Sequence, residues 1–579
     1  MILVNEDYAD QGMDSAVRQN SLILTQDKDG WFYKKWRGLT ESLGEEGKLE
    51  SRLEGHLRYM KDLYRASCER SIIPYPTGVP FAVYKEKMEK GERKDPVYDN
   101  LLEVFRRLPK GGLLHVHSAA ALSVEGLIAL LEEWDDPAIF IETEGRFAGK
   151  MDYQQPEDPA GTKMALSVFL EYVGAENRLK EWLTVGAHTD HVPYIWDAFN
   201  QIFMRTSDLF ENRNFYFEYH RRFFLECMRD RIDYVELRCG FQNFTSHENW
   251  IQHDVIVDQR PEFLDVLTAA RDAAVEAYQQ EAAGQGWRLP GGNMELGVIL
   301  CARRDLDAEI EKDKEKLMKK IDTAVCWKLG AYQELIRGFD FVSEEDRGKA
   351  SYTYYKDIFY GAALDGYSDE ACKTEFAALR ARYKEQTEGK PRIRLIELML
   401  HAGESLWMEQ ENIVDAMIAS RYRLGHGFQL LEYPGALTGY QFGPRSGMME
   451  GPVLEVCPIS NQMLRYFPDI RNHYALMLMK LGVPCVIAND DPQILGNPGL
   501  SYDFWEMYMA SDGGLMLMKG LVFTAYLFQY QARVGISFAA WDNEVYEACL
   551  QSFERLYWMP YLKEMSVFFG DPEEQGRML

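Results

Sequence analysis

Short apolar runs of strand length recur along most of the chain, separated by stretches in which apolar residues return at helical spacing. Eight such runs stand out, at 112–117, 234–238, 296–301, 335–341, 393–401, 423–428, 453–458 and 483–489. Strand alternating with helix implies a parallel sheet, and eight units are what a closed barrel needs. The predicted fold is α/β, a (β/α)8 TIM-type barrel over 108–540, with an N-terminal helical extension over 1–107 and a C-terminal helical tail over 541–579. Within the extension, Leu49, Leu53, Leu57, Met60 and Tyr64 follow each other in steps of four, four, three and four, which predicts an amphipathic helix. Residues 96–107 predict a second, ending before Pro109. Over a hundred residues separate the first run from the second, too many for one crossover, so an insertion is predicted over about 123–231.

Composition narrows the function classes. The 91 acidic residues against 64 basic ones give a net charge of −27, a field that repels phosphate backbones and anionic lipid. The nine cysteines are scattered and none forms a CxxC pair, as expected of reduced core thiols; Cys457 reads as one of them. No basic segment followed by an apolar stretch opens the chain, and no apolar run reaches the ~20 residues of a membrane span. A cytoplasmic protein is expected, with neither nucleic acid nor membrane as partner. The extension and the insertion lie outside the barrel core and are available as interfaces, which leaves a homo-oligomer open.

The ionisable residues fall at the C-terminal ends of the predicted strands, the face on which barrels of this kind carry their active sites. His115 and His117 close the first strand in LLHVH, and alternate strand residues share a side. His401 ends the fifth strand in LMLHAGE, with Glu404 three residues on; His426 ends the sixth in RLGHGF; Asp490 and Asp491 end the eighth in VIANDDP. Singly, each has an ordinary explanation: a core histidine, a glutamate at a helix N-terminus, a turn before proline. Together, three histidines and one carboxylate suit Zn2+ with a position left for water, whose pKa the ion lowers towards ~7. His426 can accept the water's proton or orient it, and Glu404 can protonate a leaving or ring nitrogen.

These residues resemble the adenosine deaminase family of the metal-dependent amidohydrolase superfamily, most of all its growth-factor-type branch. The matching segments are LPKGGLLHVH, GFDFVSEEDRG, HAGE, RLGHGF, EVCPISNQML, DIRNH and ANDDP…GLSYDFW, from Leu108 to about Trp505; WDAFNQIF at 196–203 matches as well. The resemblance implies that His115, His117, His401 and Asp490 bind zinc. It implies that Glu404 protonates the purine ring nitrogen beside the reacting carbon, that His426 steers the activated water, and that Asp491 hydrogen-bonds the base. Ser118, Ala119, Asp340, Ser343, Gly403 and Asp491 would line the substrate. Among them Asp340 falls on a family acidic position, and Ser343 stands where the family usually has a glycine donating its backbone N–H. Attack at purine C6 would then expel ammonia.

Two departures from that pattern matter. The branch is typically secreted and carries cysteines in an inserted region, whereas no signal is visible here and residues 123–181 hold no cysteine, so no extracellular growth-factor role is expected. The second lies in HVHSAAALS, where Ser118, Ala119 and Ala120 occupy the place of an acidic residue that contacts the ribose 5′-hydroxyl in nucleoside deaminases. A carboxylate there would repel a phosphate, and HxH followed by alanines also resembles the AMP deaminase pattern. The expected substrate is an adenine nucleoside or 5′-nucleotide (adenosine, deoxyadenosine, AMP or dAMP), the monophosphate slightly favoured, with Arg238, Arg303 and Arg304 as candidate phosphate partners. The alternatives are deamination of another amino-purine and a catalytically silent nucleoside-binding protein; the complete ligand set and Glu404 speak against the latter.

Overall fold

The computed structural model describes residues 46–70, 75–82, 84–85, 96–153, 161–242, 244, 261–283, 288–290, 293–367, 370–406, 412–441 and 451–569. The first 45 residues of the predicted extension and the end of the predicted tail, 570–579, lie outside the described residues. The extension contributes helices α1 (Glu46–Arg70) and α2 (Pro96–Arg107). The predicted stripe on α1 is the face it buries: Leu53, Leu57, Met60 and Tyr64 are within the main core, and Leu49 packs against it.

Strand β1 (Leu113–His117) is followed, within the predicted insertion, by a small antiparallel sheet of β2 (Phe140–Glu142), β3 (Met151–Asp152) and β4 (Lys163–Ala165), in the order β3-β2-β4. Helices α3 (Ile195–Thr206) and α4 (Arg213–Arg229) come next. The remaining parallel strands are β5 (Tyr234–Cys239), β6 (Glu295–Arg303), β7 (Ile336–Val342), β8 (Glu397–Leu398), β9 (His401–Ala402), β10 (Arg423–His426), β11 (Val453–Val456) and β12 (Cys485–Ile487). Crossover helices α5 (Glu262–Ala282) and α6 (Glu311–Leu329) link β5 to β6 and β6 to β7. Because α4 packs along α5, the predicted insertion includes one helix of the barrel's outer ring.

Strands β5, β10, β11 and β12 are buried at every position, as parallel strands covered on both faces must be. They pair in the orders β1-β5-β6-β7-β8 and β12-β11-β10-β9, and both open edges are joined. On one side β8 and β9 are halves of one run: Met399 N donates to Phe339 O on β7 at 3.0 Å, and Gly425 N on β10 donates to Leu400 O at 2.8 Å. On the other, His117 N donates to Asp490 O at 2.9 Å and Asp490 N to His115 O at 3.2 Å. The predicted continuous fifth strand is therefore broken at 399–400, where the run changes partner from β7 to β10. Helix α7 (Tyr474–Lys480) precedes β12, and α8 (Gly514–Val534), almost wholly buried, packs against β12 and α1. Among the described residues no helix is long and apolar enough to cross a membrane.

Candidate active site

Strand geometry brings the predicted ligands together. His115 and His117 lie two residues apart on β1 and so share the inner side, while His401 on β9 sits in register with Gly425 of β10. Gly425 is needed there: a Cβ would stand 2.9 Å from His115 Cε1 and 3.2 Å from the His401 Cα. His426 and Asp490 both leave their strands with left-handed backbone, φ 58° and 59°. Non-glycine residues adopt that region sparingly, and such outliers concentrate at functional sites.

The result is a converging set of lone pairs. His117 Nε2 lies 3.2 Å from His401 Nε2, and Asp490 Oδ1 lies 3.2 Å from His115 Nε2 and 3.3 Å from His117 Nε2. His115 donates its Nδ1 hydrogen to Glu455 Oε2 at 2.9 Å, and His401 donates its own to Asp340 Oδ2 at 2.7 Å. Their Nε2 atoms therefore carry lone pairs, that of His115 facing the Asp490 carboxylate and that of His401 facing His117 Nε2, an unfavourable meeting without a cation. Metal–ligand bonds of about 2.0–2.2 Å set tetrahedral ligands roughly 3.3–3.6 Å apart, close to the separations found. The four ligand atoms all lie within 4.8 Å of one another, and the donor set fits a metal ion.

Beneath the ligands a buried charge network holds them. Arg238 donates to Asp340 Oδ2 at 2.8 Å, to Glu455 Oε2 at 2.6 Å and to Leu114 O at 3.0 Å. Arg423 adds ion pairs to Glu455, at 3.3 Å, and to Glu236. Burial alone would raise the Asp340 and Glu455 carboxyls; His401 and Arg238 hold the first, and Arg238 and Arg423 the second, well below the usual range.

Glu404 stands to one side of the set, 3.5 Å from His426 Nε2. Burial, with the charges of Asp490 and Glu345, pushes its carboxyl well above the ordinary value. Its backbone N–H and that of Gly403 donate to Glu345 at 2.8 and 3.0 Å, which fixes the turn. Cys457 also lies beside His115, His426 and Asp490, but burial pushes its thiol up, so it remains the core thiol expected.

No family model matches the sequence. Adenosine deaminase 2 of Sus scrofa is 25% identical over 480 residues, covering 80% of this chain and 81% of its own. Adenosine deaminase 2-A of Danio rerio is 25% identical over 538 residues, covering 88% and 91%. Among solved structures, adenine deaminase from Arthrobacter aurescens matches with a TM-score of 0.43 and 15% identity over 77% of this chain and 98% of its own. Over most of its length, then, the chain is similar to adenosine deaminases. It is a hydrolytic aminohydrolase.

Several residues that family resemblance assigns to the substrate have other work here. Asp340 is fully committed: Oδ1 accepts His401 N at 2.9 Å and Phe341 N at 2.7 Å, and Oδ2 takes His401 Nδ1 and Arg238. It orients His401. The Ser118 hydroxyl donates to His220 Nε2 at 2.8 Å, since His220 Nδ1–H donates to Tyr216 O at 2.7 Å. It faces the outer ring of helices, while Ala119 beside it is half-buried. Ser343 has φ 101°, the left-handed backbone that a glycine adopts without strain. Asp491 is buried with Oδ1 unpartnered, and burial followed by the Asp490 charge pushes its carboxyl well up.

Of the arginines expected to meet a phosphate, Arg238 is committed to two carboxylates, while Arg304 keeps Nε and Nη1 without a hydrogen bond. Arg238 and Arg304 are buried, the latter donating to His401 O and standing 3.6 Å from Glu345. Arg303 is exposed and paired to Asp305 at 2.9 Å. Over the strand ends lies α3. Asp197 pairs with Arg347 at 2.8 Å, Arg347 stacks 3.7 Å over the Tyr194 ring, and Trp196 Nε1 donates to Tyr466 Oη at 3.0 Å. Glu455, Arg238, Asn461, His473 and His220 are site residues that sequence reasoning missed or placed elsewhere; strand-end position marked the ligands but not their partners.

Proposed function

We propose that this enzyme hydrolyses the C6 amino group of an adenine nucleoside or its 5′-monophosphate, releasing ammonia, with zinc as its cofactor. The observation that carries this reading is the convergence of His115, His117 and His401 Nε2 with Asp490 Oδ1, next to one carboxyl group raised above its ordinary range. Three imidazoles and one carboxylate make a donor set that suits zinc. When bound, the ion supplies an activated water.

The chain's own residues do the rest. Glu404, kept protonated by burial, gives its proton to the ring nitrogen beside C6 as the oxygen adds there. His426 faces the same space from the other side of Glu404, and Ser460 Oγ donates to Asp490 Oδ2 at 2.7 Å, holding that carboxylate's second oxygen. Asp491, with one oxygen unpartnered, supports a hydrogen bond to the base. The C–O bond forms and the C–N bond breaks; of the water's two hydrogens one leaves with the amino group as ammonia and the other returns to Glu404.

The free nucleoside is the first substrate to offer, because Arg238 is committed to Asp340 and Glu455, and Arg303 to Asp305. The monophosphate stays as a second reading, since no acidic side chain occupies residues 118–121 to repel it. Ammonia release from the zinc-loaded protein, offered adenosine, deoxyadenosine, AMP, dAMP and guanosine separately, tests both. Turnover of the adenine compounds alone supports the proposal; turnover of guanosine alone, or of none, overturns it.

A further inference from the structure

Asn461 of the EVCPISNQML segment and His473 of the DIRNH segment join the site through a chain of hydrogen bonds with a fixed direction. It begins at the backbone N–H of Ala475, which can only donate. That N–H lies 3.0 Å from His473 Nδ1, so this nitrogen carries a lone pair. Burial draws the His473 ring down to about 3, leaving it neutral, and its single ring hydrogen is on Nε2. Phe467, with its ring centroid 4.3 Å away, and Phe428 pack against the imidazole.

His473 Nε2–H faces Asn461 Oδ1 at 3.0 Å, an oxygen that can only accept. The orientation of the Asn461 amide follows from that contact. Its Nδ2 donates to Glu404 Oε1 at 3.1 Å and stands 3.3 Å from His426 Nδ1. An amide nitrogen has no lone pair to offer, so His426 Nδ1 is the acceptor. The hydrogen of His426 is then on Nε2, which faces Glu404 Oε2 at 3.5 Å and Asp490 Oδ2 at 3.9 Å.

We infer that His473, acting through Asn461, is a positioning residue that holds His426 in the Nε2–H tautomer, so that His426 presents a hydrogen-bond donor and not a base to the reacting centre. The same amide occupies Oε1 of Glu404 and leaves Oε2 as the oxygen that carries the mobile proton. The catalytic meaning of this tautomer rests on the proposed deamination; the tautomer itself does not.

The test uses the zinc-loaded full chain labelled with 15N in its histidine rings, with His426 assigned by comparison with His426→Asn. The expected spectrum has His426 protonated on Nε2 and unprotonated on Nδ1. His473→Leu removes both the cap and the donor, whereas His473→Gln keeps an N–H aimed at Asn461 Oδ1. The leucine variant should lose on the order of 100-fold in kcat with KM little changed, and the glutamine variant should recover most of it with the native tautomer. A wild-type His426 protonated on Nδ1 overturns the inference, as does a leucine variant that keeps kcat and tautomer and loses only thermal stability. The wild-type spectrum decides the matter even if no variant folds. A protein that deaminates nothing would sink the proposed function while the nitrogen resonances still report the tautomer.

Discussion

Arg238 and His115 share one oxygen of Glu455: Oε2 accepts the guanidinium at 2.6 Å and the imidazole Nδ1–H at 2.9 Å. Arg238 repeats this at Asp340, whose Oδ2 takes Arg238 Nε at 2.8 Å and His401 Nδ1–H at 2.7 Å. One planar fork therefore holds both carboxylates that set the tautomers of His115 and His401. The arrangement needs two donors at a fixed angle, which guanidinium has and ammonium lacks.

Arg238→Lys keeps a positive charge in the barrel and loses the fork. The expected outcome is a metal affinity lower by about 10–100-fold, the usual cost of disturbing a partner of a ligating histidine. Competition with a chromogenic zinc chelator measures it, with circular dichroism as a check on the fold. Unchanged affinity would show that His115 and His401 do not depend on the shared carboxylates.

Glu404→Gln removes the proton and keeps the shape. The Glu345 contacts are to backbone N–H groups, and an amide oxygen can still accept from Asn461, so the turn should persist. Metal content should stay at one ion per chain while kcat falls by about 10²–10⁴-fold. Near-normal turnover in this variant would take the acid role away from Glu404.

The candidate ligands were legible in the sequence because each lies at the end of its own apolar run: HxH on β1, HAGE from β9 onward, NDDP after β12. Their partners were not, because the pairs are distant. Arg238 reaches Asp340 across 102 residues and Glu455 across 217, so a buried orienting arginine read as a candidate for phosphate. Ser118 likewise meets His220 across 102 residues. The inserted sheet escaped notice for a different reason: its strands are two or three residues long, too short for any alternation to register.

Gly425→Ala places a methyl group against a ring and a backbone. His115 Cε1 would stand 2.9 Å from the new Cβ and His401 Cα 3.2 Å, and neither can yield while Glu455 pins the imidazole. The expected cost is about 1–3 kcal/mol, with weaker metal binding. Gly55→Ala makes the control: it lies inside α1 with nothing within 4 Å, where alanine should stabilise by up to about 1 kcal/mol. Thermal midpoints of the zinc-loaded proteins should move in opposite directions, and a shift of the same sign in both would contradict this account of Gly425.

Asp233, just before β5, gives a prediction for pH that stands apart from the metal site. Its Oδ2 accepts from Tyr557 Oη at 2.6 Å, its Oδ1 has no partner, and burial pushes the carboxyl up to about 7 from an ordinary 3.8. Between these two values the folded chain holds a proton that the unfolded chain has released. Stability from this group is therefore fully present below about pH 4, falls as pH rises, and levels off above about 7. A shift of about three units corresponds to about 4 kcal/mol at most. Asp233→Asn keeps an oxygen for Tyr557 and removes the titration. For a chain of this length thermal midpoints are the safer measure, and taking the difference between variant and wild type cancels the pH dependence of metal binding. The variant's midpoint relative to wild type should climb between pH 4 and 7 and stay level above. A difference that is flat across that window would mean Asp233 is ionised in the folded protein throughout, its buried charge accommodated by Tyr557 with Arg533 and Gln529.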